Sequence, residues 1–221
     1  MNNSKQDILN NLIKEPFINQ RILAAQTGHS LGIVNRSIKE LISEGYLDEE
    51  IRPTEKTLRE AKEKAPKNAI ILAAGFGMRM VPINTETPKG LLEIKGERLI
   101  ERTIRQLHEV GITEIYVVVG FMKEQYEYLI DEYGVELIVA PDYVSKNNLH
   151  SLAKVLPQLG ETYLMPCDLW CRENPFSEYE WYSWYLVSNA KDPDSTVRVS
   201  RKWELVPSGG EKEGNHMIGI S

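Results

Sequence analysis

Cysteine is almost absent: only Cys167 and Cys171 occur in 221 residues. Two thiols cannot build a disulfide framework, and no Cys/His cluster has zinc spacing. The four histidines, His29, His108, His150 and His216, are scattered and read as surface or packing residues. No apolar run approaches the ~18 residues that span a bilayer, so no membrane insertion is expected. The opening MNNSKQDILNN lacks the apolar core of a signal peptide. With thiols kept reduced, a cytoplasmic location is the expectation. Positive charge is not in surplus either. The net charge of −6 gives no whole-chain electrostatic case for nucleic acid. What remains, 42% hydrophobic and 26% charged, is soluble globular composition with room for more than one core.

The chain divides near residue 66. Before it, Ile8, Leu9, Leu12 and Ile13 recur at helical spacing. A short helix over 20–26 is closed by Gly28, and Ser30 caps a third over 31–44 that Gly45 ends. Tyr46-Leu47 and Ile51 suggest two short strands around the acidic turn Asp48-Glu49-Glu50. This order resembles the winged helix-turn-helix of bacterial regulators. Asn35, Arg36, Ser37 and Lys39 lie on its recognition helix, and Arg52 and Lys56 on its wing. DNA binding through residues 1–60 is therefore one expectation. Against it, residues 1–66 hold ten Lys/Arg and ten Asp/Glu, so no basic footprint stands out. The bland alternative is a dimerisation or docking module, and a homodimer is compatible with it. Residues 53–67 read as a solvated charged helix broken by Pro66.

After the boundary, apolar strands alternate with amphipathic helices. Strands are expected over 68–74, 114–120, 135–140 and 162–167, with helices over 97–110, 122–133 and 148–156. Near-continuous apolar strands argue for a mostly parallel, Rossmann-like α/β sheet covered on both faces. Ligands of such sheets bind beyond the strand C-termini. The segment LAAGFGMRMVPINTETPK, 72–89, sits at one such end. Ala73, Ala74, Gly75 and Gly77 lack bulk, so backbone N–H groups there can approach a polyphosphate. Arg79 offers a planar fork for phosphate oxygens, and Lys89 a second cation. An ordinary glycine turn is the alternative.

These residues resemble the signature L-A-A-G-x-G-x-R, then P-K, of the nucleotidyltransferases that make NDP-sugars and CDP-alcohols. The similarity runs from about Asn68 onward and is greatest to the bacterial CTP:phosphocholine cytidylyltransferases. The resemblance implies a nucleotidyltransferase domain over 67–221 after the winged helix-turn-helix of 1–66. It implies transfer from an NTP, CTP first, to a phosphomonoester, phosphocholine first. Leu72, Ala73, Ala74, Gly75, Gly77, Arg79, Lys89, Gly120 and Asn148 become nucleotide-binding, and Arg79, Lys89 and Asp168 catalytic. Asp168 ends an apolar strand, and the family pattern uses an Asp there to hold Mg²⁺; a turn cap is the alternative reading. Asn147, Asn148 and Ser151 match an Asn-Asn-x-x-Ser-Leu segment, or are helix caps. The family draws a second acidic metal ligand from beyond the segment resembling 215–221. A domain truncated at its C-terminus, or followed by a choline-kinase-like domain, is therefore expected.

All four tryptophans follow Asp168. Aromatic faces hold quaternary ammonium groups. Trp170, Tyr182 and Trp203 are the substrate-binding candidates, although a packed aromatic core explains most of this run equally well. Two other functions stay open: a sugar-1-phosphate nucleotidyltransferase, and a DNA-binding regulator whose α/β domain only senses a nucleotide.

Overall fold

The computed structural model describes residues 1–75, 86–141, 148–200, 204–209 and 213–220, the side chains of 148–150 aside. They form two compact units. The first comprises Met1–Pro66 with Ser177–Ser183, the second Lys67–Phe176 with Trp184–Ser221.

In the first unit, helix α1 (Asn3–Lys14) starts where the Asn2 side chain accepts from the Lys5 amide at 3.1 Å. Helix α2 (Gln20–Thr27) is capped by Asn19, which accepts from the amides of Arg21 and Ile22, and ends at Gly28 with φ +70°. A left-handed residue there favours glycine. Helix α3 (Leu31–Ser43) begins at Ser30. The two wing strands reduce to a single antiparallel bridge, Leu47 to Pro53. Asp48 explains this, because its carboxylate takes the amides of Glu50 and Arg52 that a ladder would need. Helix α4 (Glu55–Glu63) is not wholly solvated: Thr57 and Ala61 are buried. The core joins Ile8, Leu9, Leu12, Leu23, Val34, Ile38, Leu41 and Leu47.

Trp181 belongs to that same core. Gln6 donates to its carbonyl at 3.1 Å, and the Lys64 ammonium lies 5.3 Å from its ring. The neighbouring Tyr182 hydroxyl donates to Asp7 at 2.6 Å, and Asp7 also meets His29 at 2.8 Å. Residues 177–183 thus pack with the first unit and complete its core. An aromatic strap without helical or strand period gives no signal of which core it will enter.

The second unit is built on β1 (Asn68–Ala73). A two-residue hairpin, β2 (Glu93–Ile94) and β3 (Glu97–Arg98), precedes α5 (Leu99–Glu109). Then come β4 (Ile115–Val119), a 3-10 turn Lys123–Tyr126, α6 (Tyr128–Tyr133), β5 (Glu136–Val139), α7 (Asn148–Ala153) and β6 (Thr162–Pro166). The strand order is β5-β4-β1-β6, every pair parallel. Alternate β1 residues face opposite ways. Ala69, Ile71 and Ala73 pack with Ile100, Ile104 and Leu107 of α5 and Leu129 of α6. Ile70 and Ala74 pack with Val155, and Leu152 of α7 joins that face. Both faces are covered, which is why these strands read as unbroken apolar runs. Two antiparallel pairs follow: β7 (Val187–Asp192) with β10 (Gly214–Met217), and β8 (Val197–Val199) with β9 (Leu205–Pro207). The helix expected over 97–110 starts later because Glu97 and Arg98 pair with Ile94 and Glu93. No helix of the described residues is long and apolar enough to cross a membrane.

Candidate active site

Strand β1 has β4 on one side and β6 on the other, so the order of connection reverses at its C-terminal end. Open α/β sheets bind ligands in the crevice at such a switch point. Three chain segments meet there. The Phe121 amide donates to the Ala74 carbonyl at 3.2 Å, bringing Gly120 beside the β1 turn. The Cys167 amide donates to the Leu72 carbonyl at 3.1 Å, bringing Asp168 to the other side. Ala73, Ala74 and Gly120 are buried, whereas Gly75 is exposed. A Cβ at Gly75 would meet nothing within 4 Å among the described residues.

Lys89 opens a 3-10 turn, Lys89–Leu91, directly after Pro88. Its ammonium makes an ion pair with the Asp168 carboxylate, although 79 positions separate them. Both side chains are about one-third exposed, 31% and 29%. The pair therefore borders solvent, and an incoming anion can reach the ammonium. Beside it, the Cys167 thiol is fully enclosed. Burial, aided by the Asp168 charge, pushes it up to about 12, so it stays protonated and is no nucleophile.

The loop after Asp168 is tied to α5. Arg102 donates to the carbonyls of Cys171 at 2.7 Å and Arg172 at 2.6 Å, and Gln106 donates to Cys171 at 3.2 Å. Arg102 also stacks on Trp170, 4.9 Å from the ring centre, and the Lys95 ammonium lies 4.4 Å from the same ring. The Trp170 ring thus faces two cations of the protein itself. An ammonium group docking on the same ring would share it with like charge. Sequence reasoning missed Lys95 and Arg102. Their meeting with Trp170 is a tertiary contact, and no local pattern announces it.

Glu97 bridges Arg102 at 2.5 Å and Arg105 at 2.6 Å. Burial pushes its carboxyl up, but the hydrogen bonds from Arg105 and Arg102 outweigh this and hold it below the usual carboxylate range. A depressed carboxylate stabilises the fold above its unfolded pKa of about 4.3 and loses that contribution as pH falls through the lower folded value. Glu97→Gln should therefore flatten the acid limb of a melting-temperature profile. An unchanged acid limb would contradict the network.

Of the other expected site residues, Tyr182 lies in the first unit on Asp7, and burial with that carboxylate raises its hydroxyl. That bond ties the hydroxyl into the first unit. Gly77, Arg79, Asn147 and Trp203 fall outside the described residues. Asn148 opens α7, its side chain likewise outside them, and Ser151 is buried in that helix. Among the described residues, no group of three or more His, Cys, Asp or Glu forms a metal cage.

A cation and a carboxylate at the switch point of a parallel sheet, beside the exposed Gly75, lie where α/β domains bind their ligands. Residues 69–199, more than half of the chain, match the MobA-like NTP transferase domain, and residues 1–48 match a winged helix-turn-helix DNA-binding family. The chain belongs to the MobA-like NTP transferase domain family, a family of nucleotidyltransferases. It is 42% identical over 108 residues to the choline-phosphate cytidylyltransferase of Streptococcus pneumoniae, covering 49% of this chain and 47% of that protein. It is 42% identical over 105 residues to the 2-aminoethylphosphonate cytidylyltransferase of Lancefieldella rimae, covering 46% and 43%. A solved structure of CTP:phosphocholine cytidylyltransferase from Streptococcus pneumoniae is similar with a TM-score of 0.64 at 32% identity, over 70% of this chain and 69% of that one. The chain spans about half the length of the curated relatives it matches.

Proposed function

We propose that the protein transfers a cytidylyl group from CTP to a small phosphomonoester, with phosphocholine as first candidate, and releases pyrophosphate. The observation that carries this reading is the solvent-bordering Lys89–Asp168 pair beside the exposed Gly75 at the end of β1. The two relatives named above, both cytidylyltransferases, support the choice of CTP.

In the reaction, an oxygen of the acceptor phosphate forms a bond to the α-phosphorus. The bond from that phosphorus to the oxygen bridging to the β-phosphorus breaks, and its electron pair leaves with pyrophosphate. The nucleophile is already anionic, so no general base or protein nucleophile is required. Catalysis is then alignment and charge stabilisation. Lys89 neutralises charge that builds on the transferring phosphoryl oxygens. Backbone amides of the turn at Gly75 cradle the triphosphate, with Arg79 assigned there by its motif. Asp168 is a single hard oxygen donor at a strand end. That fits a cation which, like Mg²⁺, takes most of its ligands from substrate phosphates and water. Bound through Asp168, such an ion supplies neutralisation of phosphate charge. Without nucleotide, Lys89 and Asp168 neutralise each other. The arriving triphosphate competes for the ammonium and frees the carboxylate.

A pyrophosphate-release assay tests the assignment. It crosses the four nucleoside triphosphates with phosphocholine, phosphoethanolamine, 2-aminoethylphosphonate and glucose-1-phosphate. Release with CTP and an amino-alcohol phosphate or phosphonate supports the reading. Release with a sugar phosphate alone replaces it with sugar nucleotide synthesis.

The first unit supports a second, separable role. Its family match and the exposed Arg21, Arg36 and Lys39 on α2 and α3 favour docking on DNA, against the acidic turn at 48–50. A gel shift with genomic fragments that is lost in Arg36→Ala plus Lys39→Ala would support it. No shift at low salt would sink it.

A further inference from the structure

Nucleotidyl transfer needs the Lys89 ammonium fixed relative to Asp168. The 3-10 turn Lys123–Tyr126, which follows β4, reaches that segment twice. It is entered through Met122, a non-glycine residue at φ +49° in the left-handed region. From it, the Gln125 side-chain amide donates to the Glu86 carbonyl at 3.0 Å. One residue on, Tyr126 is completely buried. Its hydroxyl oxygen lies 3.1 Å from where a Cβ of Gly90 would stand, and Cys167 approaches the same point with its Cβ at 3.1 Å and its Sγ at 3.3 Å. Gly90 is thus pinched between the turn after β4 and the end of β6. Gly90 follows Lys89 directly, and Cys167 directly precedes Asp168. The pinch therefore lies one residue from the cation and one from the carboxylate.

The Tyr126 hydroxyl is not explained by packing. It makes no hydrogen bond among the described residues, and a buried hydroxyl left unpaired is unfavourable. A phenylalanine would fill the core without that cost. What the oxygen does have is close approach to the Gly90 backbone, 3.1 Å from where a Cβ would stand, so it fills the space that the missing side chain leaves.

We propose that Gln125 and Tyr126 are positioning residues, a brace that grips the backbone of 86–90 on both sides of Lys89 and fixes its ammonium against Asp168. The catalytic consequence rests on the nucleotidyl-transfer reading; the brace itself does not. Alignment of reacting groups is sensitive to small displacements, so loosening the grip lowers kcat more than it weakens nucleotide binding.

The test compares Tyr126→Phe and Gln125→Ala with the parent and with Tyr128→Phe. Tyr128 gives its hydroxyl to Glu101 at 2.6 Å, so the last variant removes a phenol of the same region outside the brace. Amide hydrogen exchange over 86–92 and steady-state kinetics with CTP are measured on each full chain. The expected result is faster exchange over 86–92 in both brace variants, with the melting temperature held. With it comes a fall in kcat of about tenfold at unchanged KM for CTP, and neither change in Tyr128→Phe. Unaltered exchange over 86–92, or an equal rise in the control, overturns the brace. Altered exchange with full kcat overturns its catalytic role. A parent chain without turnover counts against the transferase reading, while the exchange data still decide the brace.

Discussion

Lys89→Ala is expected to lower turnover by about 10²–10³-fold, the usual cost of deleting one donor aimed at developing transition-state charge. The fold should survive. The Lys89–Asp168 pair borders solvent, with 31% and 29% of the side chains exposed, and exposed ion pairs contribute little to stability. Asp168 left alone is rehydrated rather than stranded. Loss of rate without loss of structure is thus the signature of a catalytic cation, and kcat at saturating nucleotide beside a melting curve reads both. Lys89→Arg should rescue only part of the rate, because a planar fork cannot reproduce a point charge held in a pinch. Near-normal turnover in Lys89→Ala would remove Lys89 from the chemistry.

Trp181→Ala should selectively unravel the first unit. The residue is 4% exposed and packs among Ile8, Leu9, Val34, Ile38 and Leu41, more than a hundred positions away in sequence. Truncating a buried tryptophan costs about 3–5 kcal/mol. Its indole N–H is buried without an acceptor among the described residues, which costs the native state about 1–3 kcal/mol that truncation returns. The net loss is therefore about 2 kcal/mol, still a large share of the stability of so small a unit. Limited proteolysis and amide exchange check it. Protection of α1 and α3 should collapse while β1 and β4 keep theirs. By the same reasoning, residues 1–66 expressed alone lack part of their core and should be far less stable than within the whole chain. Unchanged protection of α1 would contradict the place of Trp181 in that core.

Much of this was legible in the sequence for local reasons. Asn and Ser caps, Gly28 and Gly45, and the 3.6-residue apolar period mark the helices of the first unit. Both-face burial marks the strands of the second. The Leu72–Gly75 turn, Lys89 and Asp168 were legible through motif spacing, and the structure brings Lys89 and Asp168 into contact. Illegible were contacts that depend on which segments meet. The aromatic strap 177–183 has no period, so nothing in it says that Trp181 serves the N-terminal core. Trp170 was legible as an aromatic beside Asp168, but the cations on its ring come from the β2–β3 turn and from α5. The wing strands were lost to a side chain, since Asp48 occupies the amides that a ladder would use.

The central claim is cytidylyl transfer at the Lys89–Asp168 site. Phosphorus NMR of the protein with CTP, phosphocholine and Mg²⁺ tests it most directly. Transfer predicts loss of the CTP and phosphocholine signals, with pyrophosphate and a new unsymmetrical diphosphate diester appearing in equal amounts, and neither product in Lys89→Ala. CTP and phosphocholine left intact, or CTP hydrolysed with phosphocholine untouched, would contradict it.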